Sequence, residues 1–445
     1  MQVQVSLTIE LTATASLAQI EQQIQDLGQQ AMRAAMKQAI RQWEDQQQAC
    51  PHCGAKQRRL EGTVRRVIAT LFGRVQVPRR RFRCQGCGRR WCPATALFAE
   101  LSGGTMSQPL QEAARLSGCS WPYRAASAVL KRLSGADISA EEIRLLTNRH
   151  GQQRATQQLA EAERVCAAPA QEPAAEPTEQ PLLVGVDGGW VGSREQRGGM
   201  EGKVAVVCAQ VENLPMPSHS STFSWSERGP RRAPRQRHRL LRRRYVATFG
   251  PSAHLGKLAK ASARTVSEDA PRPVVVLADG AQWIKTQQAQ HFPHATCILD
   301  WAHLWREVRH AIHAAARAKP LSARERDDQL YLQRSWLWYG QVEQAVRGLR
   351  TLATGLPAEA RVAITKAITY LEHQRPWIGS YEHWRKQGYP VGSGMIERAV
   401  ALVINRRMKK RGMRWCRANA TAVVALRTDL LNEDWILPQR LRSFP

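Results

Sequence analysis

Long apolar stretches are missing from this chain. No run in its 445 residues approaches the roughly 20 that a helix needs to cross a bilayer, so a membrane-spanning role is not expected. The first residues, MQVQVSLTIEL, lack both the basic start and the apolar stretch of a secretory signal. That points to the cytoplasm, in association with the nucleoid. Internal repeats are also absent. Negative charge is scarce: 37 Asp plus Glu stand against 65 Lys plus Arg, a net charge of +28 that a polyanion matches most simply. The hydrophobic fraction of 43% excludes a disordered tail and supports a globular protein, and 445 residues suffice for two to four domains with a buried core; the strand and helix patterns below make the expected class multidomain α/β.

Cysteines with metal-ligand spacing are few. Cys50-Pro-His-Cys53 and Cys84-Gln-Gly-Cys87 are two C-x-x-C knuckles, each followed by a glycine. In a reducing compartment they read as four thiolates around one structural Zn²⁺. His52 and Cys92 are spares, while Cys119, Cys166, Cys208, Cys297 and Cys416 have no metal spacing and read as small apolar residues. Two strand patterns, near 63–71 and 74–83, lie between the knuckles. Arg79, Arg80, Arg81, Arg83, Arg89 and Arg90 crowd into twelve residues there and repel one another unless phosphate is near.

Residues 3–9 alternate as a strand would, and 17–47 carry a Gln-rich helical pattern with Leu17, Ile20, Ile24, Leu27 and Met32 near one face, suited to an arm or a dimerisation helix. Residues 107–150 are helical in pattern, with breaks expected at Gly118 and Gly135. Ser139-Ala-Glu-Glu142 is a capping box that opens a helix. It places Ile143, Leu145 and Leu146 inside and Arg144, Asn148, Arg149 and His150 outside. With the preceding helix, Ser127 to Leu133, this fits a helix-turn-helix whose second helix enters the major groove, Arg144 and Arg149 facing DNA. A Pro, Ala and Glu-rich stretch from about 166 to 181 reads as a linker.

Beyond the linker, short β-type runs alternate with helical patterns. Asp187 ends LLVGV and Asp279 ends VVVLA, while Glu397 opens a basic helix after Gly392-Ser393-Gly394. Strand-terminal aspartates project into the crevice at the carboxyl edge of an open sheet. Two such acids plus a helical Glu suit two Mg²⁺ (or Mn²⁺) ions roughly 4 Å apart, which stabilise the attacking and leaving oxygens of an in-line phosphoryl transfer. Gly188 and Gly189 are expected to let backbone approach a ligand. Arg398, Arg406, Arg407, Lys409, Lys410, Arg411 and Arg414 continue the helix as a stripe for DNA. The Arg228 to Arg244 block, with Arg242, Arg243 and Arg244, reads as a basic loop clamping donor or target DNA.

These residues, from the zinc knuckles through GVDGGWV, RRRYVATFG, VLADGAQWIK, ILDWAHLWREV and GYPVGSGMIERAV, closely resemble transposases of bacterial insertion sequences of the ISKra type, which carry DDE catalytic domains. The resemblance places the catalytic acids on Asp187, Asp279 and Glu397. It further implies an RNase H-like mixed-sheet core with an all-α insertion between the second and third acids. Asp300-Trp-Ala-His303 is similar to a D-x-x-H signature found between those acids in related transposases, giving Asp300 and His303 auxiliary roles.

The expected organisation is therefore an N-terminal strand and helix over 1–49, a zinc-ribbon-like module over 50–103, a helix-turn-helix region over 104–163, a linker over 164–181 and the catalytic domain over 182–445, with its helical insertion at about 305–385. The expected activity is cleavage of element-end DNA and then strand transfer into target DNA. A homodimer or higher oligomer on DNA is expected, because two ends must be processed together. Three rival readings compete. Asp300 also ends a strand and contends for the third metal position. His303-Leu-Trp-Arg306 with Tyr331 or Tyr339 suggests a tyrosine recombinase. A DNA-binding regulator with an inactive nuclease domain is the third.

Overall fold

The computed structural model describes residues 2–6, 8, 15–101, 104–168, 178–214, 237–267, 271–318 and 321–435. It divides into two compact units, Met1–His150 and Gly151–Pro445.

In the first unit, α1 (Leu17–Gln46) opens at a capping box in which Ser16 and Gln19 exchange bonds. Of the strand expected over 3–9, residues 3–6 and 8 carry no regular structure, and residues 7 and 9 lie outside the described residues. Leu17, Ile24 and Met32 stay exposed, and burial falls further along, at Ile40 and Glu44. A three-stranded antiparallel sheet comes next: β1 (Arg58–Thr70), β2 (Gly73–Cys84) and the short β3 (Arg90–Trp91). Alternation along β2 sends Val75 and Val77 into a core with Ile40, Ile68, Ala94 and Phe98, and sends arginines outward.

Helices α2 (Gln108–Ser120), α3 (Tyr123–Ser134) and α4 (Ala140–Ala167) are the next elements, and the division between units falls within α4. The break expected at Gly118 lies instead at Trp121-Pro122. Proline has no amide to continue the ladder, whereas Gly118 sits inside α2 because a Cβ there would come 2.1 Å from Thr147 Oγ1 of α4. Gly135 does end α3, in the left-handed region at φ +71. Ser139 and Glu142 form the expected capping box. On α4 the faces differ from expectation: Ile143 and Leu146 are buried, but Leu145 is exposed and Asn148 is buried.

The second unit is built on a mixed six-stranded sheet in which β4 (Leu182–Ser193), β5 (Met200–Leu214) and β6 (Arg237–Thr248) form an antiparallel meander. The chain continues through α5 (Ser252–Ser267), β7 (Val274–Ala278), α6 (Gln282–His291) and β8 (Thr296–Leu299). Strand order is β6-β5-β4-β7-β8, with β7 parallel to β4 and β8 parallel to β7. Helices α7 (Trp301–Ala318), α8 (Ala323–Trp338), α9 (Val342–Ala353), α10 (Ala358–Gln374) and α11 (Tyr381–Lys386) then run consecutively. The chain returns to the sheet with α12 (Gly394–Val400), a π-helical turn (Ala401–Asn405), α13 (Arg406–Met408), β9 (Arg414–Trp415), which pairs with β4, and α14 (Arg417–Leu431).

Alternation along the strands makes two cores. Val184, Val186 and Val276 pack with α5, α6 and the helices from α7 onward; Val191, Val204 and Val206 pack with α12 and α14 on the other face. Trp301, Trp338, Tyr381 and Trp384 pack edge-on or tilted in series, with ring centroids 4.9 to 5.2 Å apart along the Trp338, Trp301, Tyr381, Trp384 path. The Tyr381 hydroxyl donates to Leu299 O at 2.9 Å, fastening the helical segment to the end of β8.

Candidate active site and metal centre

Strand register assembles the acids. Parallel pairing sets Val186 of β4 opposite Ala278 of β7, and Ala278 opposite Leu299 of β8. The next residues along the three strands are Asp187, Asp279 and Asp300. They form one row, with neighbouring strands about 4.8 Å apart. Asp279 and Asp300 follow the ends of their strands as expected, but β4 runs on past Asp187 to Ser193 because β5 keeps pairing with it, so Asp187 lies within its strand and not at its end.

Glu397 reaches that row on α12, and glycine is what lets the helix approach. A Cβ on Gly185 would come 2.7 Å from Met395 Cε and 3.3 Å from Ile396 Cβ, and one on Gly189 would come 2.8 Å from Val400 Cγ1. The expectation that Gly188 and Gly189 admit a ligand is thus corrected. Gly189 admits α12 itself, and Gly188 faces the Glu201 carboxylate, 2.2 Å from where a Cβ would stand. The Asp187 carboxyl is pushed up to about 6, first by burial, with the charges of Asp279 and Glu397 adding to it. An N–H bond from Gly188 to Oδ1 at 2.7 Å and the nearby His303 act in the opposite direction.

Asp279 accepts from Ala281 N at 3.0 Å across a left-handed Gly280, φ +79. The buried Gln374 at the end of α10 donates to Gly280 O at 3.0 Å, and Lys285 donates to His373 O at 2.9 Å. One bond therefore ties the helical segment to the loop that presents Asp279, and the other ties it to α6 directly after that loop. Sequence reasoning missed Gln374, and a lone Gln at a helix end offered no signal.

Asp300 is fully buried, and both oxygens are occupied. Oδ1 accepts from Ser393 N at 2.8 Å and Ala302 N at 3.2 Å; Oδ2 accepts from His303 N at 3.1 Å and is paired with His303 Nδ1. Burial alone would raise its carboxyl, but these bonds, His303 foremost, bring it below the usual range, while the Asp300 carboxylate holds the His303 imidazole above its own. Asp300 is thus the cap of α7 and the orienter of His303, with no oxygen left over for a metal. Through Ser393 it also reaches Glu397: the Ser393 hydroxyl donates to Glu397 Oε1 at 2.6 Å. The signal for that bond was in the sequence, as a Ser four residues ahead of the Glu on a helix start.

Among the described residues, only the four cysteines bring three or more His, Cys, Asp or Glu ligand atoms within 4.8 Å of one another. Cys50 Sγ lies 3.8 Å from Cys87 Sγ, and Cys53 Sγ lies 3.5 Å from Cys84 Sγ. A tetrahedron of sulfurs about 2.3 Å from a central ion has edges of about 3.8 Å, so the four fit a structural zinc. His52 and Cys92 stand outside the cluster. Each knuckle closes on a backbone bond, Gly54 N to Cys50 O at 2.9 Å and Gly88 N to Cys84 O at 3.0 Å, with both glycines left-handed. The acids, in contrast, are neighbours whose oxygens do not converge to that distance, a spread that their mutual repulsion favours.

The basic residues sort by environment. Arg79 and Arg81 lie on β2, but Arg80 is held by Glu44 and Asp45 at 3.1 and 2.7 Å. Arg144 is paired with Glu141, and Arg149 is exposed. The block from 228 to 236 lies outside the described residues. From Arg237 onward it is the edge strand β6 and not a loop, where Arg243 lies against Tyr245 and Arg244 pairs with Asp434. The basic helix expected after Glu397 is interrupted: the π-helical turn inserts an extra residue per turn and rotates the residues beyond it. Arg406, Lys409 and Lys410 point to solvent, but Arg407 is buried over the Trp415 ring at 5.0 Å. In the H-x-x-R string His303 Nδ1 is bonded to Asp300, and Arg306 pairs with the neighbouring Glu307 at 3.4 Å.

No helix among the described residues is long and apolar enough to cross a membrane. The sequence matches no protein-family model, and no curated protein matches it.

Proposed function

We propose that this protein is a DDE transposase of the insertion-sequence kind its sequence resembles, cutting DNA at element ends and joining the freed end to target DNA. The observation that carries this reading is the placement of Asp187, where the pairing of β4 with β7 stops, next to Asp279, which directly follows β7, with Glu397 carried beside them on a helix bedded on glycines. The meander and the two parallel strands after it, with helices between β8 and α12, support an RNase H-like core carrying an all-α insertion.

The acids fit Mg²⁺ by their chemistry: hard carboxylate oxygens, one of them raised by burial and like charge, gain from a divalent cation. Asp187, Asp279 and Glu397 would hold it. When bound, such ions lower the pKa of water and offset charge on the reacting phosphate. The chain's own contribution is positional. Ser393 fixes one Glu397 oxygen, Asp300 fixes Ser393 and His303, and Gln374 fixes the Asp279 loop. The four-cysteine module and α2 to α4 are assigned to reading DNA, and a dimer or larger assembly to pairing two ends.

The test is cleavage of labelled element-end DNA by the wild type and by Asp187→Asn, with and without Mg²⁺. Metal-dependent nicking that leaves a free 3′-OH and is lost in the variant supports the proposal. A covalent protein-DNA adduct that survives Asp187→Asn overturns it in favour of a tyrosine nucleophile. Tight binding without cleavage favours the regulator.

A further inference from the structure

Among the described residues, β7 pairs with β4 from Leu182 as far as Val186, and β9 joins β4 at Gly192 and Ser193. From Asp187 to Val191 the only strand paired with β4, among the described residues, is β5. On this bare stretch stands Trp190, 58% exposed and the most exposed tryptophan among the described residues. Its ring edge lies against Gly199, 3.7 Å from where a Cβ would stand, in the loop that closes the β4–β5 hairpin.

The register partner of Trp190 on β5 is Glu201, which lies 3.9 Å from Lys203, and the residues beyond along the hairpin are mostly basic. Arg194 and Arg197 are exposed at the hairpin tip, where Glu195 is the only acid. Pairing of β9 with Gly192 and Ser193, and a bond from Arg194 N to Trp415 O at 2.9 Å, bring the acid-free segment Lys409–Arg414 to the same tip. Within that segment Lys409, Lys410, Arg411 and Arg414 are all exposed. A rigid aromatic face within a basic rim is the pairing of groups that binds unpaired nucleic acid, with stacking for the base and charge for the backbone.

We infer that this rim is a lane for single-stranded DNA, in which a base stacks on Trp190 while Arg194, Arg197 and the Lys409–Arg414 segment track the phosphates. The inference rests on the transposase reading for the identity of the strand, which is the one delivered to the acids. Trp190 lies three residues, roughly 10 Å, along β4 from Asp187 and on the opposite face by alternation. A strand that reaches both must bend over the uncovered edge of β4. A flexible unpaired strand makes that bend, whereas a duplex is stiff and its bases present no free face.

The experiment measures binding by the full chain, in buffer free of Mg²⁺, of a short oligonucleotide containing 2-aminopurine, presented single-stranded and as a duplex. For the single strand, Trp190→Ala is expected to weaken binding about 10-fold and to abolish quenching of 2-aminopurine, with Trp190→Phe retaining most of both. Duplex affinity is expected to change less than about twofold. Equal single-strand affinity and quenching in wild type and Trp190→Ala overturns the lane, as does an equal loss for duplex and single strand. Because no metal or cleavage enters, this failure is separate from that of the transposase reading, which stands or falls on Asp187→Asn.

Discussion

Four sulfurs in the first unit of this protein converge within 4.8 Å of one another, while three carboxylates in the second stand side by side without converging. The difference lies in what holds them. Each cysteine pair is fixed by its own turn, closed by the amide of the glycine directly after it, so each knuckle forms from one short run of chain. The acids come from three separate elements, 92 and 118 residues apart, and their placement depends on strand register and on a helix resting on two glycines. A locally held cluster of soft donors suits a permanent structural ion. A row held by topology, with like charges spread apart, suits ions that bind along with a substrate whose own phosphate supplies further oxygens.

The sharpest way to break the comparison is to remove one donor from each set. Cys84 is well placed for the first, since the Cys87 amide at 3.4 Å from its sulfur brings the thiol down to about 7 and so favours the thiolate a metal binds. Cys84→Ser is expected to lose bound zinc completely and to open the β1–β2 sheet to protease, because binding energy of about 10 kcal/mol or more is folding energy in such sites. Zinc content and limited proteolysis check it, and retention of one zinc per chain would show that the cluster is not the site. Asp187→Asn should leave zinc and folding intact while cleavage falls by well over the roughly 100-fold that loss of an outer partner costs. Cleavage rate and zinc content, measured on one preparation, separate the two.

Ser393→Ala tests whether the acid row depends on its supports. It frees one Glu397 oxygen and leaves Asp300 with its backbone bond, so the expected loss is about 10-fold to 100-fold in Mn²⁺ affinity at the acids, with little change in thermal stability. Metal titration of DNA cleavage reads it, and an unchanged metal dependence would remove Ser393 from the site. Gly280→Ala is a smaller perturbation. A Cβ there meets φ +79 and would lie 2.4 Å from Gln374 Oε1, so a loss of about 2 kcal/mol of stability is expected on denaturant unfolding. Pairing it with Gln374→Ala should recover the steric part but not the left-handed strain.

Legibility in the sequence divides along the same line. The knuckles, the capping box at Ser139, the left-handed Gly135 and the strand ends before Asp279 and Asp300 could be read because each signal is local, whereas the run of β4 past Asp187 to Ser193 depends on its pairing with β5. The inward turn of Arg407 could not, because it results from a π-helical turn whose sequence, ALVIN, reads as ordinary apolar helix. Gly189 carried a signal that pointed the wrong way: sequence shows that a glycine is needed, not whether a ligand or a helix comes close. Asp300 likewise ends an apolar β-type run in the sequence as Asp187 does, and only the partners on its two oxygens distinguish a cap from a ligand. The Trp190 rim was invisible because it joins residues about 220 positions apart in the chain through the pairing of β4 with β9.

The smallest expected effect is the one that most directly reports the strain in the acid row. Burial first, and then Asp279 and Glu397, raise the Asp187 carboxyl from 3.8 to about 6. A folded-state pKa above the unfolded value means that the folded protein holds its proton more tightly than the unfolded chain does. Stability from this group is therefore greatest below about pH 4 and is lost as pH rises toward 6. A rise of that size corresponds to roughly 3 kcal/mol, but Asp187 is only half-buried, and solvent screening reduces the expectation to about 1 kcal/mol. Asp187→Asn removes the penalty, so in Mg²⁺-free buffer the variant should melt about 2 to 4 °C higher than wild type at about pH 8 and at the same temperature near pH 4. Adding Mg²⁺ at the higher pH should raise the wild type more than the variant, because the carboxylate that destabilises the metal-free fold is the one that binds the ion. An identical difference at both pH values would mean that the variant acts through packing, and that the row of acids is not strained at all.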